Sequence, residues 1–232
     1  MHPPSLASSP TIPICSTEAE RWGGVGASQA PAAHADGVET IDDTLALDTR
    51  SGLPDDLRFL LERYPRTEWQ AHDNIRGMAQ FWLQRHDMFR DVGAMLTKGI
   101  ADHREGRLDA PAFAAWFAPR LNFFLGNLEG HHQVEDQHYF PVFARAESRL
   151  KRGFDILDAD HHRIHEALER NAETANAFMR SLEESADSQR FAADRYADEN
   201  ERLVSLLTRH LEDEEDIIVP LILDRGDQAL EP

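Results

Sequence analysis

The sequence predicts an all-α protein: an antiparallel up-down four-helix bundle with a disordered N-terminal extension. Three observations predict it. Four stretches carry apolar residues in steps of three and four, the spacing of one face of an amphipathic helix. No stretch shows the alternation of a half-buried strand. The breaks between the four stretches are short, which favours antiparallel neighbours.

In chain order, residues 1–52 are rich in Pro, Ser, Ala, Gly and Thr without sustained periodicity, and read as the disordered extension. Residues 53–69 read as a short helix and linker, with Asp55 to Tyr64 helical and Pro65 ending the helix. The bundle is expected over 70–224, and 225–232 as a tail. Its first seam is Ile75, Ala79, Trp82, His86, Phe89, Gly93, Leu96 and Ile100, and HREGRLDAP breaks it. The second is Phe117, Leu121, Phe124, Leu128, His131, Glu135, His138 and Val142. The third is Phe154, Leu157, His161, His165, Leu168, Ala172 and Ala175. The fourth is Leu203, Leu207, His210, Glu214, Ile217 and Leu221.

Bulk properties narrow the function. A net charge of −18 disfavours nucleic acid and anionic membrane as partners. The N-terminus lacks a basic start followed by an apolar core, no apolar run reaches membrane-spanning length, and the one cysteine, Cys15, rules out an intramolecular disulfide. A cytoplasmic protein is expected. The informative residue is histidine: twelve in all, ten of them from His72 to His210.

Histidines and acids on the buried seams must be paired or bound to metal, because an unpaired charge in an apolar core is costly. At ~1.5 Å per residue, counting from the expected turns places His86, His131, Glu135, His161, His165 and His210 within about one helical turn of a common level. The two halves also align at an offset of 79: His86 with His165, His131 with His210, Glu135 with Glu214, Asp136 with Glu215, Pro141 with Pro220. The repeat favours Glu214 over Glu215 as ligand, since Glu214 shares a face with His210 and matches Glu135. Glu215 and Asp136 suit carboxylates that orient metal-bound imidazoles from behind, and Glu215 stays a further ligand candidate. His138 has no partner in the repeat. It is either an additional ligand or a residue beside the site. His132 and His162 fall off the seams and are expected at the surface.

Five imidazoles and two carboxylates exceed the four ligands of a tetrahedral zinc site. Two six-coordinate metals sharing two carboxylates fit better, and imidazole with carboxylate suits iron or manganese. A polar network without metal, and a ferritin-like site with two ExxH motifs, are the rival readings. The ferritin-like site fails on its second copy, because Ile217 stands where His138 would recur.

The pattern H–HxxxE–HxxxH–HxxxE on four helices resembles the hemerythrin-like family, also called HHE cation-binding domains. The resemblance covers about residues 70–224. It implies two iron ions in an oxo- or hydroxo-bridged di-iron centre, with manganese or zinc as lesser alternatives. It implies bridges at Glu135 and Glu214, one iron on His161, His165 and His210, and the other, with the exchangeable position, on His86 and His131. The chain departs from the classical oxygen carriers in having Glu215 where they have aspartate, and in the extra His138. The implied function is a metal-binding protein, not an enzyme, that binds or senses O2, NO, peroxide, iron or redox state, with a protein partner as a further expectation. The alternative is a di-iron enzyme consuming peroxide or nitric oxide, or an iron donor for iron-centre repair.

Overall fold

The computed structural model describes residues 43–231. Residues 1–42, most of the expected extension, lie outside them, as does Pro232 of the expected tail. Every regular element among the described residues is helical. The short helix α1 spans Phe59–Arg63, followed by the long helices α2 (Met78–Arg104) and α3 (Ala110–Val134). A π-helical segment, Glu135–Tyr139, joins α3 to α4 (Phe140–Ala146), and α5 (Lys151–Ser181) and α6 (Ala186–Arg225) complete the chain.

Local chemistry fixes the ends. The Asp109 side chain accepts the Ala112 N–H at 2.8 Å and caps α3. Ser185 caps α6 in the same way through Ser188. Gly226, at φ 74° and ψ 158°, ends α6 in an extended positive-φ conformation that glycine adopts without strain.

Helix α2 packs on α3 and α6, and α5 packs on α6 and α3, so the four long helices close a ring of neighbours. Two apolar clusters fill the interior. One holds Phe89, Phe117, Leu121, Phe124, Ile164 and Leu211; the other holds Trp82, Phe140, Phe154, Leu157, Ile217 and Leu221. On each long helix the change of cluster falls at a predicted metal-site residue: Trp82 and Phe89 flank His86, and Leu157 and Ile164 flank His161. Leu128 and Phe140 flank His131, and Leu211 and Ile217 flank Glu214. A single polar layer therefore lies between two apolar ones, at the common level the residue counts predict.

The first and fourth seams are buried throughout, and the other two each fail at one kind of place. On the second, burial steps from Glu135 to Phe140 and Phe143, and not to His138 and Val142. The Phe140 N–H donates to the Glu135 carbonyl, five residues back, so the π turn adds a residue and rotates His138 into solvent. Pro141 follows, but Pro220 at the matched position lies inside continuous α-helix, so a proline alone does not make the bulge. On the third seam the inward step is His161, Ile164, Leu168, which leaves His165 exposed.

Residues 43–52, the rest of the segment expected to be disordered, pack against the helices. Leu47 and Arg50 are buried. Arg50 sits among buried carboxylates, and that pairing holds a stretch whose composition alone suggests a free chain.

Candidate metal centre

Helix α3 delivers two adjacent histidines to opposite sides of Glu135. His131 faces α2, its ring 5.4 Å from that of His86. His132 faces α5 and α6, its ring stacked on His161 at 4.0 Å and 5.4 Å from His210. Two groups of donor atoms result. One is His86, His131, Glu135 and Glu214; the other is His132, His161 and His210. Within each group the donor atoms lie within 4.8 Å of one another.

The two glutamates connect the groups. Glu135 offers Oε1 3.0 Å from His131 Nε2 and Oε2 3.6 Å from His161 Nε2. Glu214 offers Oε2 alone, 3.6 Å from His86 Nε2 and 3.2 Å from His210 Nε2. Its Oε1 accepts the indole N–H of Trp82 at 2.7 Å. Within the three-histidine group, His161 Nε2 and His210 Nε2 are 3.1 Å apart.

Carboxylates set the imidazoles from behind. His86 Nδ1 lies 3.0 Å from Glu215, His161 Nδ1 2.7 Å from Asp136, and His210 Nδ1 3.2 Å from Asp160. An Nδ1–H donated to a carboxylate leaves the Nε2 lone pair for the centre. Glu215 and Asp136 thus stand where the sequence suggests, behind the imidazoles. Asp160 has no signal in the repeat.

The electrostatics suit a cation. Burial holds His131, His132 and His161 below the ordinary imidazole range, which leaves them neutral and able to coordinate. Burial, then the charge of Glu214, pushes Glu135 well above the carboxylate range. Burial opposes the charge of His210, but the hydrogen bond to Asp160 and the neighbouring Glu214 carboxylate outweigh it and raise the group to about 9. Burial also opposes ionisation of Glu215, but His86 and then Arg66 and Arg90 bring it down to about 2.

The decisive observation is a set of buried polar atoms without hydrogen bonds: Nε2 of His86, His131 and His132, both oxygens of Glu135, and Oε2 of Glu214. The short His131–Glu135 separation is proximity without hydrogen-bond alignment. Folded proteins leave few such atoms unpaired. Here they converge on one layer, with nitrogen and oxygen donors in the mixture that suits iron or manganese.

The chain matches the description "Hemerythrin HHE cation binding domain" over residues 77–222. It belongs to the hemerythrin HHE cation-binding family. The match includes the whole polar layer and supports a metal-binding role for it. No curated protein and no solved structure matches this chain.

Of the sequence-predicted residues, the structure gathers His86, His131, Glu135, His161, His210 and Glu214. It does not gather His165, which lies exposed with Nδ1 2.8 Å from Glu129 and Nε2 3.4 Å from Glu169. Steps of three and four both continue a helical seam from His161, and burying Ile164 removes more apolar surface than burying His165. His138 is also exposed, carried outward by the π turn. His132, expected at the surface, is buried in the three-histidine group. Its one signal was adjacency to His131, since two neighbouring positions on a helix can serve two flanking metals. Trp82 stands on the first seam as the sequence predicts, and its hydrogen bond to Glu214 has no signal in the spacing.

Proposed function

We propose that this HHE domain is an antiparallel up-down four-helix bundle holding two iron ions in the polar layer. One ion takes His86 and His131, the other His132, His161 and His210, and Glu135 and Glu214 are shared. The convergence of six unpaired buried donor atoms on the junction of the two groups carries this reading. The closed ring of helix neighbours supports the bundle.

With two histidines against three, the His86–His131 group would offer an ion fewer protein ligands and so leave room for O2, NO or peroxide. Bound iron supplies reversible redox change and coordination of a small ligand. Around it, Asp136, Asp160 and Glu215 orient imidazoles, and Trp82 holds one oxygen of Glu214 away from the centre. We read the protein as a cytoplasmic binder or sensor of a small ligand, iron or redox state. Among the described residues no helix is long and apolar enough to cross a membrane. With His138 exposed, this reading stands ahead of turnover of peroxide or nitric oxide and of iron donation.

The test is anaerobic purification with iron quantification, then absorption spectra on adding O2, NO and peroxide. About two irons per chain and a reversible spectral change support the proposal. A clean chain that takes one zinc and no iron contradicts it.

A further inference from the structure

Two arginines stand behind the two halves of the centre, and both precede the matched domain at residues 77–222. The Arg50 guanidinium pairs with both oxygens of Asp160, one at 2.7 Å, and reaches Asp213 at 2.8 Å and the Leu45 carbonyl at 2.9 Å. All three charged side chains are essentially buried. Asp160 in turn accepts from His210. On the other side, Arg66 pairs with Glu215 at 2.8 Å, with Asp216 at 2.8 Å and with the Glu212 carbonyl at 2.9 Å. Glu215 accepts from His86. The same stretch is anchored by buried Leu47, Leu53, Leu57 and Trp69, and Arg209 of α6 donates to the Ser51 carbonyl at 3.0 Å.

We infer that residues 43–76 form a strap that is part of the metal-binding apparatus, with Arg50 and Arg66 positioning His210 and His86 through Asp160 and Glu215. The inference rests on the reading of the layer as a metal centre. An imidazole held by a fixed carboxylate is pre-set to coordinate, and a fixed carboxylate needs its own cation. Coupling of this kind is reciprocal: if the docked strap strengthens metal binding, bound metal tightens the strap by the same factor. The metal state is thereby transmitted to the chain ahead of the domain. Arg66 carries the smaller share, because it is partly exposed and Arg90 also reaches Glu215, at 2.8 Å.

The experiment uses the full chain, wild type and the variants Arg50→Gln, Arg50→Lys and Arg66→Gln, with anaerobic ferrous iron titrated and amide exchange followed over residues 43–76. Exchange in the wild-type strap should slow by about fivefold or more on loading. Arg50→Gln should weaken one of the two iron equivalents by about 10- to 100-fold, Arg50→Lys should recover most of that loss, and Arg66→Gln should lose less. Wild-type protein that takes up iron while strap exchange is unchanged overturns the inference, as does a folded Arg50→Gln variant with wild-type affinities. Should Arg50→Gln not fold, the wild-type exchange result decides alone. A wild-type chain that takes up no iron overturns the metal reading itself, and the strap coupling with it.

Discussion

Trp82 donates its indole N–H to Oε1 of Glu214 at 2.7 Å, and in doing so makes the two glutamates of the polar layer unequal. Glu135 presents both oxygens to the centre, whereas Glu214 presents one. At the offset of 79 Trp82 is the counterpart of His161, so the repeat pairs an imidazole facing the polar layer with an indole that restrains Glu214. Trp82→Phe keeps most of the ring and removes the donor. The metal-free variant should lose about 1.5–3 kcal/mol, the range for a hydrogen bond to a charged group. Urea unfolding checks this. Iron binding should persist with an altered absorption spectrum, because Glu214 Oε1 is then free to turn inward.

His132 and His165 exchange the roles their spacing suggests. His132→Ala should weaken one iron equivalent by at least about 10- to 100-fold, the size seen on loss of even a supporting contact. His165→Ala should keep wild-type iron content, since among the described residues that side chain is exposed and its ion-pair partners are Glu129 and Glu169. Metal analysis of the two variants, purified in parallel, separates these outcomes. Loss of iron in His165→Ala alone would restore the family's HxxxH assignment.

Iron uptake should release protons. In the metal-free protein His210, raised to about 9, holds a proton at neutral pH, and Glu135 is raised in the same direction. Coordination requires both groups deprotonated. The metal-free state therefore binds more protons, so affinity rises with pH, and the His210 part of the rise flattens above about 9. Calorimetric titration at pH 7.5 in buffers of different ionisation heat should report release of about one to two protons per chain. The same shifts act on metal-free stability. His210 is raised above its unfolded value of 6.5, so its contribution is fully present below that pH and lost as pH rises through about 9. Near pH 6.5 the depressed His131, His132 and His161 act in the opposite sense, so the fall in the urea midpoint of the metal-free protein should show between about pH 7.5 and pH 9.

Two glycines on neighbouring helices should respond oppositely to alanine. A Cβ on Gly99 would lie 2.2 Å from the Trp116 ring, whereas Gly126 has open space. Gly126→Ala should stabilise by about 0.5–1 kcal/mol through helix propensity. Gly99→Ala gains the same propensity but overpacks against Trp116 at about 1–3 kcal/mol, for a net loss of up to about 2.5 kcal/mol. Thermal or urea unfolding of the two variants gives the comparison.

Much of this was legible in the sequence because a buried helix face has a period. Ile75 to Ile100 and Leu203 to Leu221 hold that period without interruption, and all the residues of both seams are buried. The carboxylates behind the imidazoles were partly legible, since Glu215 and Asp136 follow the ligand glutamates directly. What escaped were breaks in the period and long-range partners. The π turn at Glu135–Tyr139 shifts every later residue by one position and removes His138 from the site. The choice between Ile164 and His165 is a matter of burial, which spacing alone leaves open. Arg50 meets Asp160 more than a hundred residues away, and composition around residue 50 carries no trace of that pairing.

The central claim is a two-metal layer in which His132 replaces His165. Anomalous diffraction at the iron edge from crystals of the iron-loaded protein tests it most directly. The account predicts two iron peaks, one between His86 and His131 and one among His132, His161 and His210, with Glu135 and Glu214 reaching both. A single peak, or a second iron held by His165 with His132 turned away, would contradict it.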